Sequence, residues 1–338
     1  MNTLRSEPHN PKQARATVFF ITIAILIAAV FIISMNTGSL SMSPLDVIRT
    51  LFGQGTDQQK LALFDFRLPR IVISLLIGAG LAVSGCLLQG VVRNPIADPG
   101  ILGVNAGAGV MVVLFITYFP NKTIAPVWLL PCLAFIGASL AALLLVMLAY
   151  KKNIGLSPTK LILSGIAVAA GLNALMIVLT IQLDSDNYQF LAAFLAGSIW
   201  GTDWRFVVAL LPWLVIILPF VFYKARVLDL LNLGDHIATG LGAPVQRARL
   251  TFLAAAVALA ASCVAVSGSI GFVGLIAPHI ARRLIGTTHK VLLPASALLG
   301  ALLVLIADTL SRVIDIPAGL IVAMLGAPYF LYLLAKMR

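Results

Sequence analysis

Charge is what this sequence has least of. Asp, Glu, Lys and Arg make up 10% of its 338 residues, against 60% hydrophobic residues and a mean hydropathy of +1.04. That scarcity excludes an ordinary water-soluble domain, whose surface needs far more charge. Cysteine is sparse too. Cys86, Cys132 and Cys263 lie inside apolar runs, without metal or disulfide spacing, and read as small hydrophobes. No G-x-x-x-x-G-K-[ST] loop occurs, which excludes nucleotide binding by a P-loop. No Ser/His/Asp set and no metal-ligand spacing is visible, so the chain does not read as an enzyme. The net charge of +11 would suit a nucleic-acid binder. Its distribution does not, because the basic residues sit in short loops between apolar runs.

Apolar runs of about 20 residues are what the chain has in abundance, and they predict an all-α polytopic membrane protein. Ten transmembrane helices are expected: 16–35, 68–89, 101–119, 125–150, 160–183, 205–223, 244–267, 271–285, 291–314 and 317–336. The first exceeds a signal-peptide core and lacks a cleavage pattern, so it is expected to be retained. Residues 44–52 fit a short interfacial helix, and 190–200 are too short to cross. Ten spans put both termini on one side. Most Lys and Arg fall there, so the termini, including residues 1–15, are expected to be cytoplasmic. The spans after Arg67/Arg70 and after Arg247/Arg249 are both rich in small residues and run in opposite directions, as in an inverted repeat.

The longest polar break in the C-terminal half is Lys224–Leu250. Helical spacing on both sides of Gly234 predicts a helix–Gly–helix pair. Gly234 suits a left-handed helix end, Asp235 the cap of the second helix, and Gly242 with Pro244 its stop. Lys224, Arg226, Arg247 and Arg249 flank it. A folded module between two spans is built to touch something outside the bilayer; an amphipathic pair lying on lipid is the alternative.

Charges within spans are expensive and therefore informative. Asp308 is the one charge well inside a span, with Arg312 at i+4, where the two can pair along one helix face. Arg67 and Arg70 stand at the start of the second span. The three arginines are expected either to form a positive outer rim for an acidic docking partner or to meet headgroups. Gly268, Gly271, Gly274 and Pro278 suit close helix approach or irregular backbone lining a path. His279 beside them reads as a helix-end histidine held by carbonyls.

Six blocks carry a family resemblance: FRLPR (66–70), QGVVRNPIADPGILGVNAGAG (89–109), LNLGDHIATGLG (231–242), GSIGFVGLIAPHIARRLIG (268–286), ADTLSR (307–312) and GAPYFLYLL (326–334). They resemble the iron-siderophore and vitamin B12 permeases of ABC importers, over nearly everything after residue 40. The resemblance implies a single B12-permease-like transmembrane domain, 1–338, with ten helices and an inverted repeat, in a bacterial cytoplasmic membrane. It implies a second permease subunit, identical or paralogous, enclosing one path. Two cytoplasmic ATPase subunits would hold the ATP and magnesium, and an extracytoplasmic substrate-binding protein would dock above; this chain would hold no cofactor. Residues 224–243 would be its cytoplasmic coupling helices, with Leu233, Gly234, Asp235, His236, Ala238, Gly240, Leu241 and Gly242 at the ATPase contact. Arg67, Arg70 and Arg312 would pair with glutamates of the binding protein. Gly268, Gly271, Gly274, Pro278 and Asp308 would lie along the path or pack beside it. A ferric siderophore is the implied substrate, with cobalamin or haem as alternatives. His236, Asp315 and Val322 depart from common family choices. The rival classes are an ion-coupled secondary transporter, which needs buried carboxylates as ion sites, and an intramembrane enzyme, which needs a nucleophile–base set.

Overall fold

The computed structural model describes residues 11–38, 42–119, 128–151, 155–199, 201 and 203–336. Residues 1–10 of the expected cytoplasmic N-terminus lie outside them. Helix α1 (Pro11–Asn36) is followed by α2 (Pro44–Leu51), which a Ser43–Asp46 capping box starts. A Thr56–Gln59 box starts α3 (Asp57–Lys60). A π-helical segment, Leu61–Arg67, then leads without a break into α4 (Leu68–Val92). The second span's helix therefore begins at Asp57, not near residue 68. The wide π turn ends two residues before Pro69, whose ring disfavours a regular α-turn in front of it.

A 3-10 turn (Pro99–Leu102) leads to α5 (Val104–Tyr118) and α6 (Leu129–Ala149). The basic loop expected next contains a minimal hairpin, β1 (Tyr150–Lys151) antiparallel to β2 (Gly155–Leu156). Then come α7 (Pro158–Thr180), α8 (Ser185–Leu195) and α9 (Trp204–Tyr223). The polar break forms α10 (Ala225–Asn232) and α11 (Asp235–Gly240). The last four helices are α12 (Val245–Ser267), α13 (Val273–Ile285), α14 (His289–Ile314) and α15 (Ala318–Lys336).

Seven helices among the described residues are long and apolar enough to cross a membrane; α5 and Ala318–Tyr332 are shorter apolar helices. The expected ten is not reached on length alone. With 13 residues, α13 rises only about 20 Å.

Helix α4 is the axis of the bundle, and every residue from Gly80 to Val92 is buried. It packs on α12, α13 and α14, while α12 packs in turn on α5 and α6. Lipid tails are as apolar as leucine, so close backbone approach has to hold such helices together. Glycines supply it. A Cβ on Gly78 would stand 2.2 Å from the Gly300 carbonyl oxygen, and one on Gly300 2.3 Å from that of Gly78. The same reciprocal contact joins Gly107 of α5 to Gly137 of α6. A Cβ on Gly85 would lie 2.0 Å from the Gly274 oxygen, joining α4 to α13. The outer helices α1, α7 and α9 instead expose apolar residues such as Ile25, Leu163 and Ile216.

Gly300→Ala forces backbone apart and is expected to destabilise the fold by ~1–3 kcal/mol. Gly171→Ala on α7, with nothing within 4 Å, is expected to be neutral or slightly stabilising. Thermal unfolding of the detergent-solubilised protein compares the two. Equal shifts would remove the α4–α14 crossing as a determinant of stability.

Candidate functional site

At one end of the bundle the α10–α11 module is braced from several sides. Leu228 and Leu231 of α10 are buried, and Leu228 fills the space beside Gly90 of α4, where a Cβ would come within 2.9 Å of it. Gly234 has φ +106° with an extended ψ, so it is not the left-handed helix end that was expected. It serves as the N-cap itself. Asp235 is not a cap either: it opens α11 and turns its carboxylate to two arginines. Arg249 donates from Nη2 to Asp235 Oδ1 at 2.9 Å, and Arg93 Nη2 donates to the same oxygen. Arg93 also donates Nε to the Leu231 carbonyl at 2.7 Å, from a left-handed backbone at the end of α4. Arg249 donates Nη1 to the Leu156 carbonyl at 2.9 Å, while the Leu156 N–H donates to Gln246 Oε1 at 3.0 Å. The expected flanking cation Arg249 is thus an internal residue, 1% exposed. Burial works to raise the Asp235 pKa, but the hydrogen bonds and charges of Arg249 and Arg93 outweigh it and hold the carboxyl below 3.8.

Outward from this brace the module presents a ridge. Leu233, Ile237 and Leu241, four residues apart, are 53%, 56% and 60% exposed. His236, Gly240 and Gly242 are exposed beside them, and Gly234, Gly240 and Gly242 have nothing within 4 Å of a Cβ position. Ala238 faces inward and is fully buried. Of the eight residues singled out here, Ala238 and Asp235 anchor the module and the rest form its open side.

The other end of α4 carries the second cluster. Asp308 is fully buried. Its Oδ1 accepts from Arg70 Nε at 2.7 Å and its Oδ2 from Arg312 Nη2 at 2.9 Å. Arg312 also reaches the end of α1, donating Nη1 to the Ser34 carbonyl at 3.1 Å and Nη2 to the Ser34 hydroxyl. Arg67 donates Nη1 to the Met35 carbonyl. The side chains of Arg70 and Arg312 are 13% and 8% exposed, and Arg67 is buried. The positive outer rim expected of these arginines is therefore corrected: Arg312 pairs with Asp308 along α14, as the i+4 spacing allowed, and the same carboxylate draws Arg70 inward, a contact the sequence does not show.

Among the expected path residues, Gly268 is a turn at φ +67° pressed on α8, where a Cβ would stand 2.2 Å from the Phe194 oxygen. Ser269 N–H donates to that oxygen at 3.0 Å. Gly274 packs against Gly85, Pro278 is buried within α13, and Asp308 belongs to the triad above. Only Gly271 borders open space. His279 is not held by carbonyls: its Nε2 is buried without a hydrogen-bond partner among the described residues, and its ring meets Tyr329 edge-on at 5.8 Å. The Arg93–Asp235–Arg249 cluster went unread in the sequence, since nothing local links Arg93 to a residue 142 positions on.

A bundle held by glycine crossings, with seven helices among the described residues long and apolar enough to cross a membrane and a braced helix pair at one end, is that of a multi-pass membrane protein. A solved inward-facing metal-chelate type ABC transporter has the same fold, with a TM-score of 0.83 and 30% identity over 95% of this chain and 99% of that one. The iron(3+)-hydroxamate import system permease protein FhuG of Bacillus subtilis is 48% identical over 98% of this chain and 99% of its own length. The Fe(3+)-citrate import system permease protein YfmE of the same organism is 46% identical over 96% of both chains. The profile of the FecCD transport family matches residues 25–336, and the chain belongs to that family.

Two outcomes test the clusters. Asp308→Asn leaves Arg70 and Arg312 facing each other without their anion and is expected to destabilise by ~3–5 kcal/mol, measured by thermal unfolding or by loss of folded yield. A fully stable variant would mean that the triad does not hold the helix ends. Asp235 has a lowered folded pKa, so its stabilisation is complete above 3.8 and is lost as pH falls through the lower folded value. Asp235→Asn is expected to lower the melting temperature at neutral pH, with the difference from wild type shrinking below pH 3.8. A difference that grew on acidification would reverse the assignment.

Proposed function

We propose that this chain is the permease subunit of an ABC importer that carries a ferric siderophore, or a similar ferric chelate, across the bacterial cytoplasmic membrane. The single observation that carries this reading is the apolar ridge Leu233–Ile237–Leu241 on a module braced by the ion pairs of Asp235 with Arg93 and Arg249. An exposed ridge on a stiff base suits a protein partner, and in this fold the fitting partner is a cytoplasmic ATPase. ATP and magnesium then reside in two such ATPase subunits, and this chain catalyses no reaction. The names of the two bacillary relatives, one for hydroxamate and one for citrate chelates, support ferric chelates as the cargo.

In this reading both termini are cytoplasmic, and α5, α13 and α15 complete ten crossings with the seven longer helices. The inverted repeat pairs α4–α7 with α12–α15. Its support is reciprocal packing: α4 lies on α13 and α14 as α12 lies on α5 and α6. Two permease subunits, identical or paralogous, enclose one path. ATP binding closes the ATPases, the ridge moves with them, and the bundles rock between outward and inward access. An extracytoplasmic binding protein delivers the chelate at the opposite end. There Arg67, Arg70 and Arg312 brace the surface on which it sits rather than supplying free cations. An ion-coupled mechanism is less well served, because both oxygens of Asp308 are already taken by arginines.

Leu241→Asp and Gly240→Trp alter exposed positions on the outer side of the module, and Gly240 has nothing within 4 Å of a Cβ position. Both are expected to fold with unchanged melting temperature. Both are expected to reduce co-purification of the ATPase and uptake of radioactive iron chelate by at least about tenfold. Uptake and ATPase capture that survive both changes would end the coupling assignment.

A further inference from the structure

We propose that the Asp229–His289 pair is the positioning contact that passes movement of the α10–α11 module into α14. The proposal rests on the module's being the ATPase contact. Asp229 lies on α10, and His289 is the first residue of α14. Asp229 Oδ1 accepts the backbone N–H of His289 at 2.9 Å and lies 2.6 Å from its Nδ1. Thr288, in the N-cap position of α14, makes no side-chain capping bond. The cap is supplied instead by a carboxylate from another helix. Helix N-termini leave N–H groups unsatisfied and favour negative charge, so Asp229 matches that end in both respects.

The histidine side of the pair is sheltered, while the Asp229 side chain is part-exposed. His289 is 1% exposed, and its Nε2 is buried without a hydrogen-bond partner among the described residues. Pro294 lies within α14 just beyond this point and removes a hydrogen bond from its early turns. The start of α14 therefore leans on Asp229 more than a regular helix start would. Arg93 and Arg249 tie the module to α4 and α12, whereas Asp229 ties it to α14. From His289, α14 runs as one helix of 26 residues to Ile314. On the way it meets α4 backbone to backbone at Gly300, and it carries Asp308 and Arg312 near its far end. A displacement of α10 thus acts on a rod whose other end holds the arginine triad.

The test uses the assembled importer, with the ATPase subunits co-expressed, purified and reconstituted in liposomes. ATP hydrolysis and iron-chelate uptake are measured on the same preparations. Asp229→Ala and His289→Ala are expected to leave assembly and ATP hydrolysis near wild type while lowering uptake per ATP by roughly fivefold or more. Asp229→Asn keeps an acceptor for the His289 N–H and is expected to recover part of the loss. Unchanged uptake per ATP in both alanine variants overturns the proposal. So does a parallel fall of yield, hydrolysis and uptake, which marks a merely structural contact. A second measurement covers variants that fold poorly. Cysteines are placed at 229 and 289 in a Cys86→Ala, Cys132→Ala, Cys263→Ala chain and bridged by a short bis-thiol reagent. Bridging is expected to restore coupling lost in the unbridged protein, and failure to restore it counts against the tie. A wild-type chain that captures no ATPase would instead overturn the coupling reading itself.

Discussion

Contact between the backbones of α4 and α14 at Gly78 and Gly300 is the constraint on which the rest of this structure depends. In a bilayer an apolar side chain gains little by leaving lipid for a neighbouring helix, so the helices adhere through close fit and polar contact. A single methyl group at either glycine would collide with a carbonyl oxygen at 2.2 to 2.3 Å. With α4 and α14 seated that tightly, Arg70 on one reaches Asp308 on the other. The Gly85–Gly274 crossing acts likewise for α13. It brings Gln89 Nε2 to the Gly274 carbonyl at 3.1 Å and Arg282 to Gln89 Oε1 at 3.1 Å. Small residues in this chain therefore place its buried polar groups as well as its helices.

The two polar clusters share a plan. Each sets two arginines on one aspartate: Arg70 and Arg312 on Asp308, Arg93 and Arg249 on Asp235. Each would carry an excess positive charge, and a buried unpaired charge is strongly unfavourable. Backbone carbonyls absorb the excess. Arg312 turns to Ser34 and Thr37 at the end of α1, Arg93 to Leu231 at the end of α10, and Arg249 to Leu156. Helix C-termini are where free carbonyls and the negative end of the dipole lie. The guanidinium, with five donors in a fixed fork, can serve a carboxylate and a carbonyl together, which a lysine cannot do in the same geometry.

The spans were legible because lipid imposes one rule on every helix that crosses it, and apolar run length reports that rule directly. Residues 205–223 and 244–267 differ from the helices Trp204–Tyr223 and Val245–Ser267 by a single residue at the ends that moved. Small-residue runs showed that helices would approach closely, but not that Gly78 meets Gly300, since pairing is a tertiary fact. Charge was harder to read. Hydropathy cannot distinguish Arg67 and Arg70 standing at an exposed rim from the same residues folded inward, Arg67 onto the Met35 carbonyl and Arg70 onto Asp308, which lies 238 positions away. Asp235 misled for a similar reason. Its type and place suit a cap, yet two arginines compete for its carboxylate, and Gly234 needs no side chain to start the helix.

The module separates recognition from support by residue type. With six residues, α11 is far too short to be stable alone, so its geometry is imposed by what holds it. Ala238 presses inward and Asp235 binds two arginines anchored elsewhere in the bundle. Leu233, Ile237 and Leu241 then stand outward, each more than half exposed. A partner that covers them has little ordering left to impose, which is how a small apolar contact gains affinity. The glycines at 234, 240 and 242, with open space where a Cβ would stand, leave the flanks bare, so a partner's backbone can approach the ridge from either side. Rigidity below and bareness above are both required. A mobile ridge would absorb a push that a braced one transmits, and a ridge crowded by larger side chains would keep the partner at a distance.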